Sequence, residues 1–234
     1  MPVFVMGPQR TGTSLVAGIL ERLGVDMCVK PTSENAAYSE SDDWSAICQK
    51  IAGDWRCPQI HHCPDSIGDD VKALVKKKNA EEREEMPWGA KTPFFCLVGH
   101  HIIPHVKDLR VIRTTRDIDL TIDSLCRREP QMPRAMGDFI QKQAFCATTL
   151  TDGMLSVLKI PTGYIQFDFI FERPVEIIAD ISKFVFGEVV DLQNAVEFID
   201  PSLRHFKPPY EELQKTRVTV PTDIADKITS IGAA

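Results

Sequence analysis

The sequence predicts an α/β fold in which a parallel β-sheet lies between two layers of helices. Three short apolar strands are indicated, at residues 3–6, 109–114 and 164–167. Between them, apolar residues recur at helical spacing, as in the run from Ser14 to Leu23. Strands that alternate with helices of this length are typical of a parallel sheet, because each parallel pair needs a long crossover connection.

Helical periodicity predicts further helices, and the chain length fits one large domain. Gly24 is expected to end the first helix, because glycine adopts left-handed backbone angles without strain. We expect residues 1–234 to form a single domain, with 30–65 as a substrate loop region and 200–234 as a C-terminal segment that wraps over it. The predicted helices span residues 14–23, 43–53, 67–85, 117–128, 134–158 and 174–187.

Composition and charge narrow the classes of function. The 234 residues are 43% hydrophobic, with a formal net charge of −6 and a pI near 5.5. A surface that follows nucleic-acid phosphates should be basic, so we expect no nucleic-acid partner. Any anion site must therefore be built locally from a few residues. The oligomeric state is left open.

Cysteine usage and hydropathy favour a cytoplasmic protein. The seven cysteines are odd in number, scattered and without a C-x-x-C pair, which suits reduced thiols. No window approaches the roughly 18 apolar residues of a membrane span. The N-terminal residues lack a basic stretch and lead straight into a motif, so we expect neither a signal peptide nor an integral membrane segment.

A phosphate-loop pattern lies between the first strand and the first helix. The segment Gly7-Pro8-Gln9-Arg10-Thr11-Gly12-Thr13-Ser14 has the spacing G-x-x-x-x-G-K-[ST], except that Thr13 replaces the lysine. Backbone N–H groups from Gly12 to Ser14 can still hold a phosphate, and the helix dipole favours the anion. The cation that a nucleoside triphosphate needs is missing, and Arg10 appears instead, three residues earlier. The pattern predicts a P-loop NTPase-like fold with a different nucleotide.

This loop resembles the 5′-phosphosulfate loop of the sulfotransferases that use 3′-phosphoadenylyl sulfate (PAPS), bacterial-type members above all. The resemblance implies that Thr11, Gly12, Thr13 and Ser14 bind the 5′-phosphate of PAPS. It implies that Arg10 also binds the donor and stabilises the bridging oxygen as the S–O bond breaks. The sulfuryl group would pass to a hydroxyl or amine of a small-molecule, sugar or lipid acceptor, leaving adenosine 3′,5′-bisphosphate.

A second motif lies where the second predicted strand ends. Arg116 is followed eight residues later by Ser124, about two turns into the predicted helix. We expect the two side chains to approach one point, where a guanidinium and a hydroxyl suit a phosphate monoester. The R-x7-S spacing resembles the sulfotransferase motif that binds the 3′-phosphate and distinguishes PAPS from ATP.

Two later segments also resemble the family. Residues 164–187 are similar to a family pattern in which a strand is followed by the motif Y-E-D-L, then by a proline, then by F-L-G. In this sequence Phe167 replaces the tyrosine and Asp168 replaces the glutamate. Residues 200–205 are similar to a late segment of bacterial members. That similarity implies a further cation for the 3′-phosphate, at Arg204.

The same resemblance assigns the catalytic groups. Arg10 and Lys91 are candidates for stabilising the sulfuryl oxygens, Lys91 because Lys-Thr-Pro resembles the family's K-x-P or K-T-H site in a loop. A plain surface position for Lys91 is the alternative. The histidine base of K-T-H is absent, since Pro93 stands there. Other members use a glutamate soon after the first helix, and we prefer Glu34 over Glu40.

No metal is predicted, and two other functions stay open. Cys57, His61, His62 and Cys63 lack a second ligand pair at zinc spacing, and a sulfate ester donor needs no bridging Mg²⁺. A P-loop small-molecule or nucleotide kinase is the first alternative, which the missing lysine disfavours. The second is a nucleotide-binding module without catalysis, which the missing histidine base favours.

Overall fold

In the computed structural model, a parallel β-sheet organises the residues that the structure describes, which are 1–28, 40–53, 63–81 and 86–199. Its strands are β1 (Pro2–Met6), β2 (Trp88–Lys91), β3 (Arg110–Thr115) and β4 (Thr162–Gln166). They lie in the order β2-β1-β3-β4, and each neighbouring pair is parallel. These described residues belong to one compact unit. The predicted parallel α/β sheet is confirmed.

Helices connect and cover the strands. The predicted helices are present with small shifts at their ends, and residues 82–85 of the helix predicted at 67–85 lie outside the described residues. The helices α4, α7 and α9 and the 3₁₀ turn Ile103–His105 were not expected. Within the described ranges, no helix is long and apolar enough to cross a membrane. The helices are α1 (Thr13–Arg22), α2 (Asp42–Ala52), α3 (Ile67–Glu81), α4 (Phe95–Ile102), α5 (Ile118–Arg128), α6 (Arg134–Val157), α7 (Phe167–Glu172), α8 (Pro174–Phe186) and α9 (Gln193–Glu197).

Both faces of the sheet are covered, which gives the three predicted layers. β1 is buried along its whole length, and its side chains alternate between two cores. Phe4 and Met6 pack with residues of α2, α3, α4 and α6, whereas Val3 and Val5 pack with residues of α1, α7, α8 and α9. An all-parallel sheet needs such a layer on each face, because its strands are apolar on both sides.

β2 is the strand that the sequence did not reveal. It has four residues, which is too short to show a periodic pattern. Aromatic packing buries β2. The ring centroids of Trp88 and Trp44 lie 6.2 Å apart and the rings are nearly parallel. Phe4 and Phe95 form a second stacked pair in the same core. Lys91 ends this strand and is only 2% exposed, so both the loop position and the surface alternative for Lys91 are wrong.

The strand order creates a crevice between β1 and β3. The chain leaves β1 towards β2 on one side of the sheet, and it leaves β3 towards β4 on the other side. At such a switch point the connections diverge, and the carboxyl ends of the two strands form a ligand-binding crevice. The loop 7–12 follows β1 and Arg116 follows β3. The fold therefore brings the two sequence motifs to one crevice.

Candidate active site

The loop that follows β1 packs tightly against its neighbours. Gly12 precedes α1 with φ +92°, a left-handed conformation that glycine adopts without strain. A Cβ atom at Gly12 would lie 2.1 Å from Cδ2 of Phe167, and one at Gly7 would lie 2.2 Å from Oγ1 of Thr114. Both positions therefore need glycine for space, and Gly12 needs it for backbone conformation as well.

Backbone N–H groups at the start of α1 can form a cradle for an anion. The first N–H groups of a helix have no carbonyl partner inside the helix, and Gly12 supplies no capping side chain to them. The helix dipole adds a partial positive charge at the same place. Thr13 and Ser14 begin the helix and also line a cavity, so this part of the predicted phosphate loop borders a space that a ligand can enter.

Thr11 holds the loop in shape. Its side chain is fully buried, and both its N–H and its Oγ1 donate to the Pro8 carbonyl, at 3.3 and 2.6 Å. Oγ1 also lies 2.8 Å from Oγ1 of Thr114 on β3. These bonds attach the loop to the neighbouring strand. Thr11 therefore holds the backbone of the loop in its conformation.

Two hydrogen bonds join this loop to the Arg116 motif. Nε of Arg10 donates to Oγ of Ser124 at 2.9 Å, and Nη1 of Arg116 donates to the Arg10 carbonyl at 3.3 Å. Arg10 has φ +68°, a left-handed conformation that is uncommon for a residue other than glycine. Arg116 and Ser124 thus both contact Arg10, Arg116 at the backbone carbonyl and Ser124 at the guanidinium.

Phe167 supports both motifs at once, which the sequence did not indicate. Its ring fills the space next to Gly12, and the Cζ atom of Arg116 lies 4.4 Å from the ring centroid. A guanidinium over an aromatic face gains a cation–π interaction, and Arg116 is 9% exposed. Phe167 begins α7 instead of ending β4, and this position at the edge of the sheet lets one ring reach both the loop and Arg116.

Lys91 and Glu40 form an ion pair in a cavity that residues of the loop 7–12 also line. Nζ of Lys91 lies 2.8 Å from Oε1 of Glu40, and the side chains are 3% and 20% exposed. Burial lowers the pKa of Lys91 and repulsion from Arg128 lowers it further, while attraction and a hydrogen bond from Glu40 oppose the change. The cavity thus holds a buried cation whose proton is easier to remove than that of an exposed lysine.

This cavity has a volume of about 270 Å³ and lies between the ion pair and the loop 7–12. Four elements form its walls: the loop 7–12 with the start of α1, Glu40 and residues of α2, the end of β2 with the segment after it, and the C-terminal part of α5 with the residue that follows. The sequence did not single out the α2 and α5 positions. The lining residues are Gln9, Arg10, Thr13, Ser14, Glu40, Ser45, Gln49, Lys91, Pro93, Phe94, Leu125, Arg128 and Glu129.

Other candidate residues fall outside this site or outside the described ranges. Glu34 and Arg204, predicted as base and as 3′-phosphate ligand, lie outside the described residues, as does the predicted segment 200–234. In the part of the chain that the structure describes, no group of three or more His, Cys, Asp or Glu could hold a metal ion.

The acidic residue after β3 is occupied as a helix cap. Oδ1 of Asp117 accepts hydrogen bonds from the N–H groups of Asp119 and Leu120, at 2.9 and 3.2 Å, and so begins α5. A P-loop kinase would place a magnesium-binding acid at a strand end and a lysine at position 13. In this protein the acid, Asp117, is a helix-capping residue, and position 13 is a threonine. These features disfavour ATP-dependent phosphoryl transfer.

The architecture and the loop together define a P-loop-like α/β protein, and solved structures of the same fold are sulfotransferases. STF1 from Mycobacterium tuberculosis H37Rv is similar at 16% identity with a TM-score of 0.58, over 84% of this chain and 70% of that one. STF9 from Mycobacterium avium is similar at 15% identity with a TM-score of 0.56, over 88% and 69%. The sulfotransferase domain from the Synechococcus PCC 7002 olefin synthase is similar at 14% identity with a TM-score of 0.51, over 88% and 83%.

At these identities the likeness establishes the fold. No protein-family model and no curated protein sequence matches the chain. The chain thus shares the three-dimensional fold of the sulfotransferases, and the predicted fold class is confirmed.

Proposed function

We propose that this protein is a sulfotransferase that takes a sulfuryl group from PAPS. The observation that carries the proposal is the meeting of the two motifs at Arg10, with hydrogen bonds of 2.9 Å to Ser124 and 3.3 Å from Arg116. A nucleotide with phosphates on both its 5′ and 3′ positions needs two anion sites at a fixed separation. The cradle before α1 and the Arg116 motif supply two such sites in one crevice.

The residues fit the donor chemically. The N–H groups at the start of α1 suit the 5′-phosphate, and the missing lysine at Thr13 disfavours a triphosphate. Arg116 carries five N–H donors on its guanidinium, so its bond to the Arg10 carbonyl is compatible with binding a phosphate. The ring of Phe167 packs against one face of that guanidinium. PAPS carries one phosphate at the 3′ position and a sulfuryl group on its 5′-phosphate, so it would use each of these features.

The reaction is a displacement at sulfur. The acceptor oxygen forms a new S–O bond while the bond from sulfur to the bridging oxygen breaks, and that oxygen leaves with the electron pair on adenosine 3′,5′-bisphosphate. Arg10 stabilises the charge that develops there, and Lys91 stabilises the sulfuryl oxygens. The loop and the α1 cradle hold the donor in line with the acceptor.

The acceptor's proton passes to a carboxylate. Glu40 lines the cavity next to Lys91, which makes it a candidate base, and Glu34 stays the alternative. Lys91 holds Glu40 in the cavity at 2.8 Å. A carboxylate held within reach of the acceptor hydroxyl meets the first requirement of a general base, which is geometry.

Calorimetric titration tests the proposed function. We expect adenosine 3′,5′-bisphosphate to bind in the presence of EDTA. Its affinity should exceed that of ATP by about tenfold or more, because ATP lacks the 3′-phosphate and the hydrogen bonds from charged groups that this phosphate accepts. ATP binding that appears only with Mg²⁺ and matches the bisphosphate would support the kinase instead. Bisphosphate binding without transfer to any acceptor would support a module without catalysis.

Arg116→Ala should weaken the binding of adenosine 3′,5′-bisphosphate by about 1.5–3 kcal/mol, the range for a hydrogen bond to a charged group. Binding of adenosine 5′-phosphosulfate, which lacks the 3′-phosphate, should hardly change. Calorimetry on both nucleotides measures the difference. Equal losses for the two nucleotides would remove Arg116 from the 3′-phosphate site.

A further inference from the structure

The backbone on both sides of Arg10 is held by side chains from distant elements. The Gln9 carbonyl accepts a hydrogen bond from Nε2 of Gln141 on α6 at 3.2 Å, and the Arg10 carbonyl accepts one from Nη1 of Arg116 at 3.3 Å. These carbonyls belong to the two peptide units that meet at the Cα atom of Arg10. Since each peptide unit is planar, the orientation of the two units sets the backbone angles of Arg10.

Arg10 needs this support because its backbone conformation is unfavourable. Its φ of +68° is left-handed, and in that region the Cβ atom of a residue other than glycine comes too close to the backbone. Such conformations persist where the surrounding structure enforces them, and they are concentrated at functional sites. The hydrogen bond from Gln141 enforces the conformation from the N-terminal side of Arg10, and the bond from Arg116 enforces it from the C-terminal side.

The polarity of Gln141 is not explained by stability. The side chain is fully buried in α6, and its Oε1 has no hydrogen-bond partner in the part of the chain that the structure describes. A buried carbonyl oxygen without a partner destabilises a fold, and an apolar side chain of similar length would avoid that loss. Nε2 is the atom that faces Gln9, because a backbone carbonyl can only accept. The amide is therefore placed to hold the loop.

The same face of α6 packs against the helix that carries Ser124. Gly137 lies four residues before Gln141, and residues at this spacing share a helix face. A Cβ atom at Gly137 would lie 2.8 Å from Sγ of Cys126 on α5, so the two helices are in close contact there. α6 thus holds α5 at one point and the loop at another. These are the two segments that the hydrogen bond from Arg10 to Ser124 joins.

We propose, on the basis of the sulfotransferase function above, that Gln141 is a positioning residue for Arg10. Its amide fixes the Gln9 carbonyl and so keeps Arg10 in the left-handed conformation. That conformation directs the guanidinium to Ser124 and to the oxygen that leaves sulfur. Gln141 acts on the transfer through Arg10 and not by contact with the donor or the acceptor.

Gln141→Met tests the proposal, because methionine keeps the length of the side chain and removes the amine. Transfer from labelled PAPS is measured with water, glycerol and phenol as acceptors. Turnover is expressed per nucleotide-binding site from the calorimetric stoichiometry, which removes any unfolded fraction. We expect turnover to fall about threefold to tenfold, the equivalent of one hydrogen bond between neutral groups. Affinity for adenosine 3′,5′-bisphosphate should stay within about twofold, because this nucleotide lacks the sulfuryl group whose transfer Arg10 assists.

A double variant shows whether Gln141 acts through Arg10. In an Arg10→Ala background, Gln141→Met should lower turnover by less than about twofold, since the guanidinium that it positions is gone. A merely structural role would give the same loss in both backgrounds. Gln143→Met is the matched control: it makes the same substitution on α6, two positions further on, where no described hydrogen bond joins the side chain to the loop. Its turnover should match that of the wild type.

The outcomes separate the two proposals. If Gln141→Met keeps the wild-type turnover, or if its loss is equal with and without Arg10, the positioning role is wrong while the sulfotransferase proposal stands. An equal loss in Gln143→Met also excludes that role. If the wild-type protein does not bind adenosine 3′,5′-bisphosphate, or binds it and transfers no sulfuryl group to any of the three acceptors, the proposed function is wrong, and the inference is wrong with it.

Discussion

Arg10→Ala should lower kcat by about 10²–10³, the loss observed when one donor that stabilises developing charge is removed. Arg10 lines the cavity beside Ser14 and is held by its hydrogen bond to Ser124. Its guanidinium is therefore fixed before the reaction, and it meets the charge of the leaving oxygen mainly in the transition state. Affinity for adenosine 3′,5′-bisphosphate should fall less than kcat. Steady-state kinetics with labelled PAPS, beside calorimetry, measures the two effects.

Two further variants separate the charge of Arg10 from its position. Arg10→Lys keeps the charge and should retain part of the activity, whereas Ser124→Ala removes the partner of Nε at 2.9 Å and leaves the charge less well fixed. If Arg10 acts through this contact, the double variant should lose less than the two single losses combined. An Arg10→Ala enzyme with unchanged kcat would exclude Arg10 as a catalytic group.

Gly12→Ala should destabilise the fold and abolish tight nucleotide binding. The left-handed backbone at φ +92° makes an added Cβ unfavourable by about 1–2 kcal/mol. The same Cβ would lie 2.1 Å from Phe167, and overpacking of this kind adds roughly 1–3 kcal/mol. To relieve the clash, Phe167 must move away from the loop and from Arg116. Urea unfolding and nucleotide titration measure the two consequences.

Gly24→Ala is the matched control for backbone strain. Gly24 has a similar φ of +97°, and a Cβ there would meet no atom within 4 Å. Its free energy of unfolding should fall by about 1–2 kcal/mol, with nucleotide affinity unchanged. The excess loss in Gly12→Ala then reports the clash, and the smaller side chain of Phe167→Leu should recover part of it. Equal losses in stability and binding for both glycine variants would show that Phe167 does not support the site.

The place of the loop between a buried strand and a helix could be predicted from the sequence alone. Gly12, the missing lysine at Thr13 and the nearby Arg10 are neighbours in the chain, and their conformation and charge follow from the strand before them and the helix after them. The Arg116–Ser124 spacing is similarly local, since it depends on one helix. The parallel sheet also followed from local patterns, because long crossovers leave few other ways to pair the strands.

The partners of these residues could not be predicted in this way. Lys91 and Glu40 are 51 positions apart and Arg10 and Ser124 are 114 apart, and both contacts depend on which strands are neighbours in the sheet. β2 shows no pattern of its own, and its four residues become a strand because the aromatic core and β1 bury them.

Local patterns in the chain were enough to predict a loop without lysine between a strand and a helix, a second cation at a fixed spacing, and a parallel sheet that carries them, because each depends on residues a few positions apart. The packing of Phe167 against both motifs, the burial of Lys91 against Glu40, and the place of Arg128 and Glu129 in the cavity wall became visible in the folded protein alone. Such contacts arise from the order of the strands and the packing of the helices, which bring distant segments of the chain together.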